Sequence, residues 1–136
     1  MAAGIFSFTI EQGATTDFEL VYKDSAGDPV DLTEYQARMQ LKDSIGGSST
    51  YLTLSSSLSP DGTGLNMSGS GGNGASKPPT SGSVGVYISH ATSSNLSFSS
   101  AFYDLEIVSG SGDSATVTRL IQGKVALSKE VTTGSY

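Results

Sequence analysis

The chain has 136 residues and a net charge of −6, with 25 Ser, 13 Thr and 17 Gly but only 15% charged residues. That length suits one domain rather than two separate cores, and the Ser/Thr/Gly excess excludes a coiled coil or helical bundle, which needs Ala, Glu, Lys and Leu in helical register. Seven cations scattered along an acidic chain disfavour nucleic acid and membranes as partners, and the absence of Cys removes disulfides, thiolate metal sites and thiol nucleophiles.

Residues 5–10 open the chain with Phe6, Phe8 and Ile10 on one face of a period-two pattern. Residues 17–23 turn Phe18, Leu20 and Tyr22 one way and Asp17, Glu19 and Lys23 the other. Asp24-Ser25-Ala26-Gly27-Asp28-Pro29 follows as a turn, with Gly27 free to take a positive φ and Pro29 barring a central-strand partner. Residues 35–42 alternate again, Tyr35, Ala37, Met39 and Leu41 against Gln36, Arg38, Gln40 and Lys42. Shorter strands are expected at 50–54 and 65–67. Residues 68–83 contain one Ala and no larger aliphatic side chain, so burial cannot offset their ordering entropy. They read as one long flexible Ser/Gly-rich loop inside a single domain, 1–136.

Val84, Val86 and Ile88 mark the next strand, and residues 90–96 the one helical piece. Tyr103, Leu105 and Ile107, then a run over 116–127, form the last two strands, joined by the hairpin loop Ser109-Gly110-Ser111-Gly112-Asp113. Gly123 within that last run predicts a bulge or a close backbone approach. Seven or eight short strands with almost no helix predict an all-β fold, an antiparallel β-sandwich. Its core is expected to bury Phe18, Leu20, Met39, Leu41, Val86, Ile88, Leu105 and Ile107.

The residues offer little for catalysis. His90 is the one histidine, and no G-x-S-x-G nucleophile elbow accompanies it. Gly69, Gly71 and Gly74 match G-x-G-x-x-G, but no strand precedes them and no helix follows. Asp24, Asp28 and Asp31 lack the spacing of a calcium loop and read as a solvated turn. Asp104 and Glu106 alternate with Tyr103, Leu105 and Ile107, so they lie on an outward strand face, where they solubilise the domain or meet a partner. No catalytic, cofactor-binding or metal-binding residue is expected, and no cofactor. The first ten residues lack the basic and apolar regions of a secretory signal.

Tyr103-Asp104-Leu105-Glu106-Ile107, the Gly-rich hairpin, Val117-Thr118-Arg119-Leu120-Ile121-Gln122-Gly123-Lys124-Val125 and Glu130-Val131-Thr132 together resemble small virion proteins of tailed bacteriophages. The resemblance is to the immunoglobulin-like domain of baseplate upper proteins. Gly27-Asp28-Pro29-Val30-Asp31-Leu32-Thr33 followed by Ala37-Arg38-Met39-Gln40-Leu41 is similar to that family's second and third strands, while residues 68–83 depart from its compact pattern. The resemblance implies an immunoglobulin-like sandwich without catalysis, in the tail, baseplate or fibre-attachment region. Its partners would be other virion structural proteins and copies of itself in a symmetric assembly, with no nucleic acid and no membrane, and its location the virion after synthesis in the host cytoplasm. A capsid decoration protein and a glycan- or receptor-binding module are the alternatives.

Structural roles are expected for Tyr103, Arg119 and Gly123. Tyr103 would bond back to the preceding turn as a tyrosine corner does. Arg119, alternating with Val117 and Ile121, would lie across an apolar face and require an acidic partner. Subunit contacts are expected at Ile5, Phe6, Phe8 and Ile10, because a first strand without charge until Glu11 makes a poorly protected edge. They are also expected at Lys77, Pro78 and Pro79, in a loop with the composition of an arm. Residues 1–10 and 68–83 should therefore contribute more contact than the Asp24–Asp28 turn.

Overall fold

The computed structural model describes residues 4–132, so Met1, Ala2 and Ala3 of the expected contact segment lie outside the described residues. Nine strand segments occur among those residues: β1 (Gly4–Ile5), β2 (Phe8–Glu11), β3 (Thr16–Val21), β4 (Tyr35–Lys42), β5 (Thr50–Ser55), β6 (Gly64–Asn66), β7 (Ser83–Ile88), β8 (Ser100–Ser109) and β9 (Thr116–Ser128). One short α-helix, α1 (His90–Ser94), joins β7 to β8, and three single 3-10 turns lie in the loops. The fold is all-β and sandwich-like.

One sheet runs β5–β4–β8–β9, with β1 and β2 both on the outer side of β9; the other runs β3–β7–β6. Alternation sets the facing surfaces. Ala37, Met39 and Leu41 of β4, with Tyr103, Leu105 and Ile107 of β8, are buried against Val84, Val86 and Ile88 of β7 and Leu65 of β6. Phe18 and Leu20 pack on this core but are only partly buried. The reason is position: β3 pairs with β7 alone and forms the edge of the smaller sheet.

The direction of the first strand and the state of residues 68–83 differ from the sequence expectation. The sandwich is not wholly antiparallel, because β1 and β2 pair in parallel with β9, from Gly4 opposite Ile121 to Glu11 opposite Ser128. β8 takes one side of β9 in a hairpin, and the first strand takes the other side while running toward the same end of the sandwich. Of the two readings of Gly123, a bulge or a close backbone approach, the structure has the second, and the bulge in the last strand lies elsewhere. Leu105 faces Ile121 while Glu106 faces Arg119, so Leu120 is the bulged residue. Gly123 instead marks a close approach, since an added Cβ would sit 2.2 Å from the Phe6 carbonyl oxygen.

Residues 68–83, expected to form a free arm, are docked on the smaller sheet, and Ser83 itself begins β7. The backbone at Gly69 crosses over Gly85, where an added Cβ would lie 2.1 Å from the Gly69 carbonyl. The N–H groups of Ser70 and Gly71 donate to the carboxylates of Glu19 and Asp17, each at 3.0 Å. Asn66 Nδ2 donates to the Gly72 carbonyl at 2.7 Å, and Lys77 closes an ion pair with Glu19 at 2.6 Å. Lys77 and the Ser70 N–H hold the Glu19 carboxyl below its ordinary range. Polar bonds thus supply the ordering that apolar burial does not.

Gly123→Ala should push the Phe6–Ser7 segment off β9 and cost about 1–3 kcal/mol, as overpacking does. Hydrogen exchange should quicken in β1 and β2 before β8. Protection unchanged in those strands would show that the approach is not tight.

Candidate functional site

Between β1 and β2 the Phe6 N–H still donates to the Gln122 carbonyl at 3.0 Å, but beyond it the ladder breaks and side chains fill the gap. The Tyr103 hydroxyl donates to the Phe6 carbonyl, and Ser7 Oγ accepts the Lys124 N–H at 3.2 Å. The missing Gly123 side chain leaves the space for that carbonyl. Tyr103 therefore makes no tyrosine corner with its own turn; it pins the first strand to the last pair. Its ring meets Phe8 edge-on at 5.2 Å, and Phe8 meets Phe18 at 5.0 Å, so the aromatic contact continues into the other sheet. Ile10 is wholly buried and cannot serve as a subunit contact, and Phe8 is half-buried in the same cluster.

The other expected contact residues fall in two separate places. Ile5 is 82% exposed beside β9, whereas Pro78 and Pro79 are exposed on the loop over the smaller sheet. The structure does not bring them together.

Instead, it brings together the outward side chains of β4, β8 and β9. The register sets three cross-strand rows: Lys42–Phe102–Lys124, Gln40–Asp104–Gln122 and Arg38–Glu106–Arg119. Arg38 Nε bonds Glu106 at 2.7 Å, Arg119 Nε reaches Asp104 at 3.3 Å, and Arg119 also donates to Gln122 Oε1 at 3.1 Å. Arg119 thus lies on the polar outer face and not across an apolar one, because the bulge at Leu120 reverses the phase of the strand. Lys124 Nζ stands 5.5 Å from the Phe102 ring centre. Among the described residues, neither Lys42 nor Lys124 has a carboxylate within ion-pair distance.

These rows floor a cleft of about 670 Å³, flanked by Ile5 on one side and by Ile45 of the β4–β5 loop on the other. Ile45 is 87% exposed. The cleft offers two ammonium groups, one aromatic ring, two amides and two isoleucines, while its carboxylates are occupied by guanidinium N–H groups. That is equipment for docking an anionic, partly apolar surface.

A second polar cluster surrounds α1. Ser89 caps the helix by accepting the Thr92 N–H at 3.1 Å, and its hydroxyl donates to Asp61 at 2.5 Å. Bonds from Ser89, Thr63 and Thr92 hold Asp61 down at about 2. With the serine hydroxyl given to a carboxylate and to a cap, the cluster ties the 56–63 crossover to the helix. Among the described residues, no group of three acidic or histidine side chains is placed to hold a metal ion, and no helix is long and apolar enough to cross a membrane.

No family model matches this chain, and no curated protein matches it significantly.

The sequence pattern exposed Arg38, Gln40, Lys42, Asp104 and Glu106 but not the pairing of β4 with β8, which makes them one surface. Phe102, Gln122 and Lys124 were missed for the same reason; their one local signal is alternation with Tyr103 and Val125.

Burial pushes the Tyr103 phenol up to about 12 from its ordinary 10. The folded state thus holds the proton more tightly than the unfolded chain. This contribution is complete below pH 10 and is lost as pH rises toward about 12. Tyr103→Phe should cost about 0.5–1.5 kcal/mol near neutrality and remove that alkaline loss. Melting curves near neutral and strongly alkaline pH test it; equal midpoints for both proteins at both pH values would exclude the bond as a stabilising contact.

Proposed function

We propose that the chain is an immunoglobulin-like domain acting as a non-enzymatic structural component of a tailed-phage virion, in the tail, baseplate or fibre-attachment region. The strand order supports the fold assignment. β3–β7–β6 corresponds to strands B, E and D of that architecture, and β9–β8–β4 to strands G, F and C, with β5 added beyond C. The first strand is displaced onto the G-side sheet.

The observation that carries the assembly role is the edge at β5. Each other edge among the described residues is blunted. The first strand is interrupted at Phe6–Ser7, β3 presents Asp17 and Glu19 under the docked loop, and β6 spans only Gly64–Asn66. β5 carries neither charge nor proline; a bulge at Tyr51 leaves Leu52–Ser55 as a regular run. An unguarded edge of this kind suits strand addition by a neighbouring subunit.

Mass spectrometry of purified particles encoded by the same genome should find the chain, and its absence would overturn the virion reading. Thr53→Lys places a charge in the middle of the open run and should lower incorporation several-fold while leaving the melting temperature nearly unchanged. Incorporation at the wild-type level would show that β5 is not the joint.

A further inference from the structure

The cations of this molecule are unevenly spread. Four of its seven cations, Arg38, Lys42, Arg119 and Lys124, share the cleft with two carboxylates, Asp104 and Glu106, for a local charge of +2. The remaining three cations and eleven carboxylates carry −8. The unpaired part of the positive face is the row of Lys42 and Lys124, at the end of the sheet where β4 finishes.

Five of the remaining carboxylates lie at the opposite end, while Glu11 and Asp43 lie at the lysine end. Tyr35 pairs with Ser109 there, so the 22–34 connection, with Asp24, Asp28, Asp31 and Glu34, and the β8–β9 loop, with Asp113, leave the sandwich at the same end. Tyr35 and Lys42 are seven steps apart along β4, about 23 Å at roughly 3.3 Å per residue. The acidic connection is built to project: Asp24 Oδ1 accepts the Ala26 and Asp28 N–H groups at 2.9 and 3.0 Å, and Asp31 Oδ1 accepts from Thr33 N at 2.9 Å. Its tip, including Ala26, Asp28 and Pro29, is exposed.

We infer that the cleft receives the acidic 22–34 connection of a second copy of this chain, in a head-to-tail contact. The lysine row meets the carboxylates, while Ile5 and Ile45 cover the Ala26–Pro29 tip. Because the two surfaces differ, the contact is heterologous, and repetition gives a ring or a filament along the strand direction. This inference goes beyond the virion reading and holds whatever particle the copies serve. It also reverses the order expected from sequence, in which the Asp24–Asp28 turn ranked below the first strand and the Ser/Gly-rich loop.

Sedimentation of the purified chain tests it. At about 10 mM salt, where the Debye length is roughly 30 Å, the average mass should rise with concentration above the 13.9 kDa monomer; at about 1 M salt it should return to the monomer. Lys42→Glu with Lys124→Glu removes the receiving row, and Asp28→Lys with Asp113→Lys removes two carboxylates that carry no structural bond. Each double variant alone should associate on the order of tenfold more weakly or less than that. Mixed in equal amounts, they should associate again and grow past the dimer, because one contact joins the two unaltered surfaces and the next joins the two reversed ones, whose charges are again opposite. Circular dichroism confirms that the variants are folded, and a Lys42→Gln, Lys124→Gln pair gives a milder second reading. A monomer at low salt, salt-independent association, or variants that fail to complement each other would overturn the inference. Loss of particle incorporation in Thr53→Lys with self-association intact would bear on the β5 joint alone.

Discussion

The bond from Tyr103 to the Phe6 carbonyl ties the chain's beginning to its end. A strand added in parallel at the edge of a sheet gains slanted hydrogen bonds and no hairpin to hold its register. Here the register is fixed in the middle, where the ladder breaks. Gly123 lets the Phe6 carbonyl turn inward, the phenol captures it, and Ser7 replaces it as acceptor for the Lys124 amide. Phe8 and Ile10 then fall on the core side. Sliding the strand by one residue would expose both and strand the phenol without a partner. The same arrangement positions Ile5 beside the outer cleft, so the core and the proposed docking face share one anchor.

Glycine acts at two places for a reason other than turning. Gly85 and Gly123 lie inside strands and have no positive φ, yet each lies beneath a crossing backbone. One admits the 68–83 loop onto the smaller sheet and the other admits the first strand. In a chain with so few large side chains, close backbone packing and polar anchors such as Asp17 and Glu19 take over part of what a larger core would do.

Much of the fold was legible because alternation is strong where one face is buried. Residues 35–42, 84–88 and 103–107 show it plainly, and their inward members are buried, Tyr35 at the strand end only in part. The docking of 68–83 was not legible, because it depends on carboxylates some 50 positions earlier accepting backbone N–H groups, a pairing that composition cannot express. Nor was the parallel first strand, since a period-two pattern carries no direction. Gly123 was recognised as a close approach or a bulge, and only three-dimensional pairing separates the two. The cleft was visible only in fragments: the outward charges of each strand could be read, while the rows they form depend on register.

The bulge at Leu120 decides what the cleft can do. If the register ran unbroken through Leu120, Arg119 would stand opposite Ile107 and point into the core; with the shift at Leu120, Arg119 stands opposite Glu106 on the outer face. From there its guanidinium spans Asp104 and Gln122. Successive rows on one face are two residues, about 6–7 Å, apart along the strand, so a long arginine bridges them diagonally. Asp104 is thereby engaged from the arginine row and not from the lysine row, where Lys42 and Lys124 flank an aromatic ring that neutralises nothing. A sheet with the same residues in unbroken register would bury a guanidinium at high cost and leave Asp104 to the lysines. The register shift at Leu120 therefore separates a stability requirement from a recognition surface: it keeps Arg119 out of the core and leaves two ammonium groups available to an incoming carboxylate.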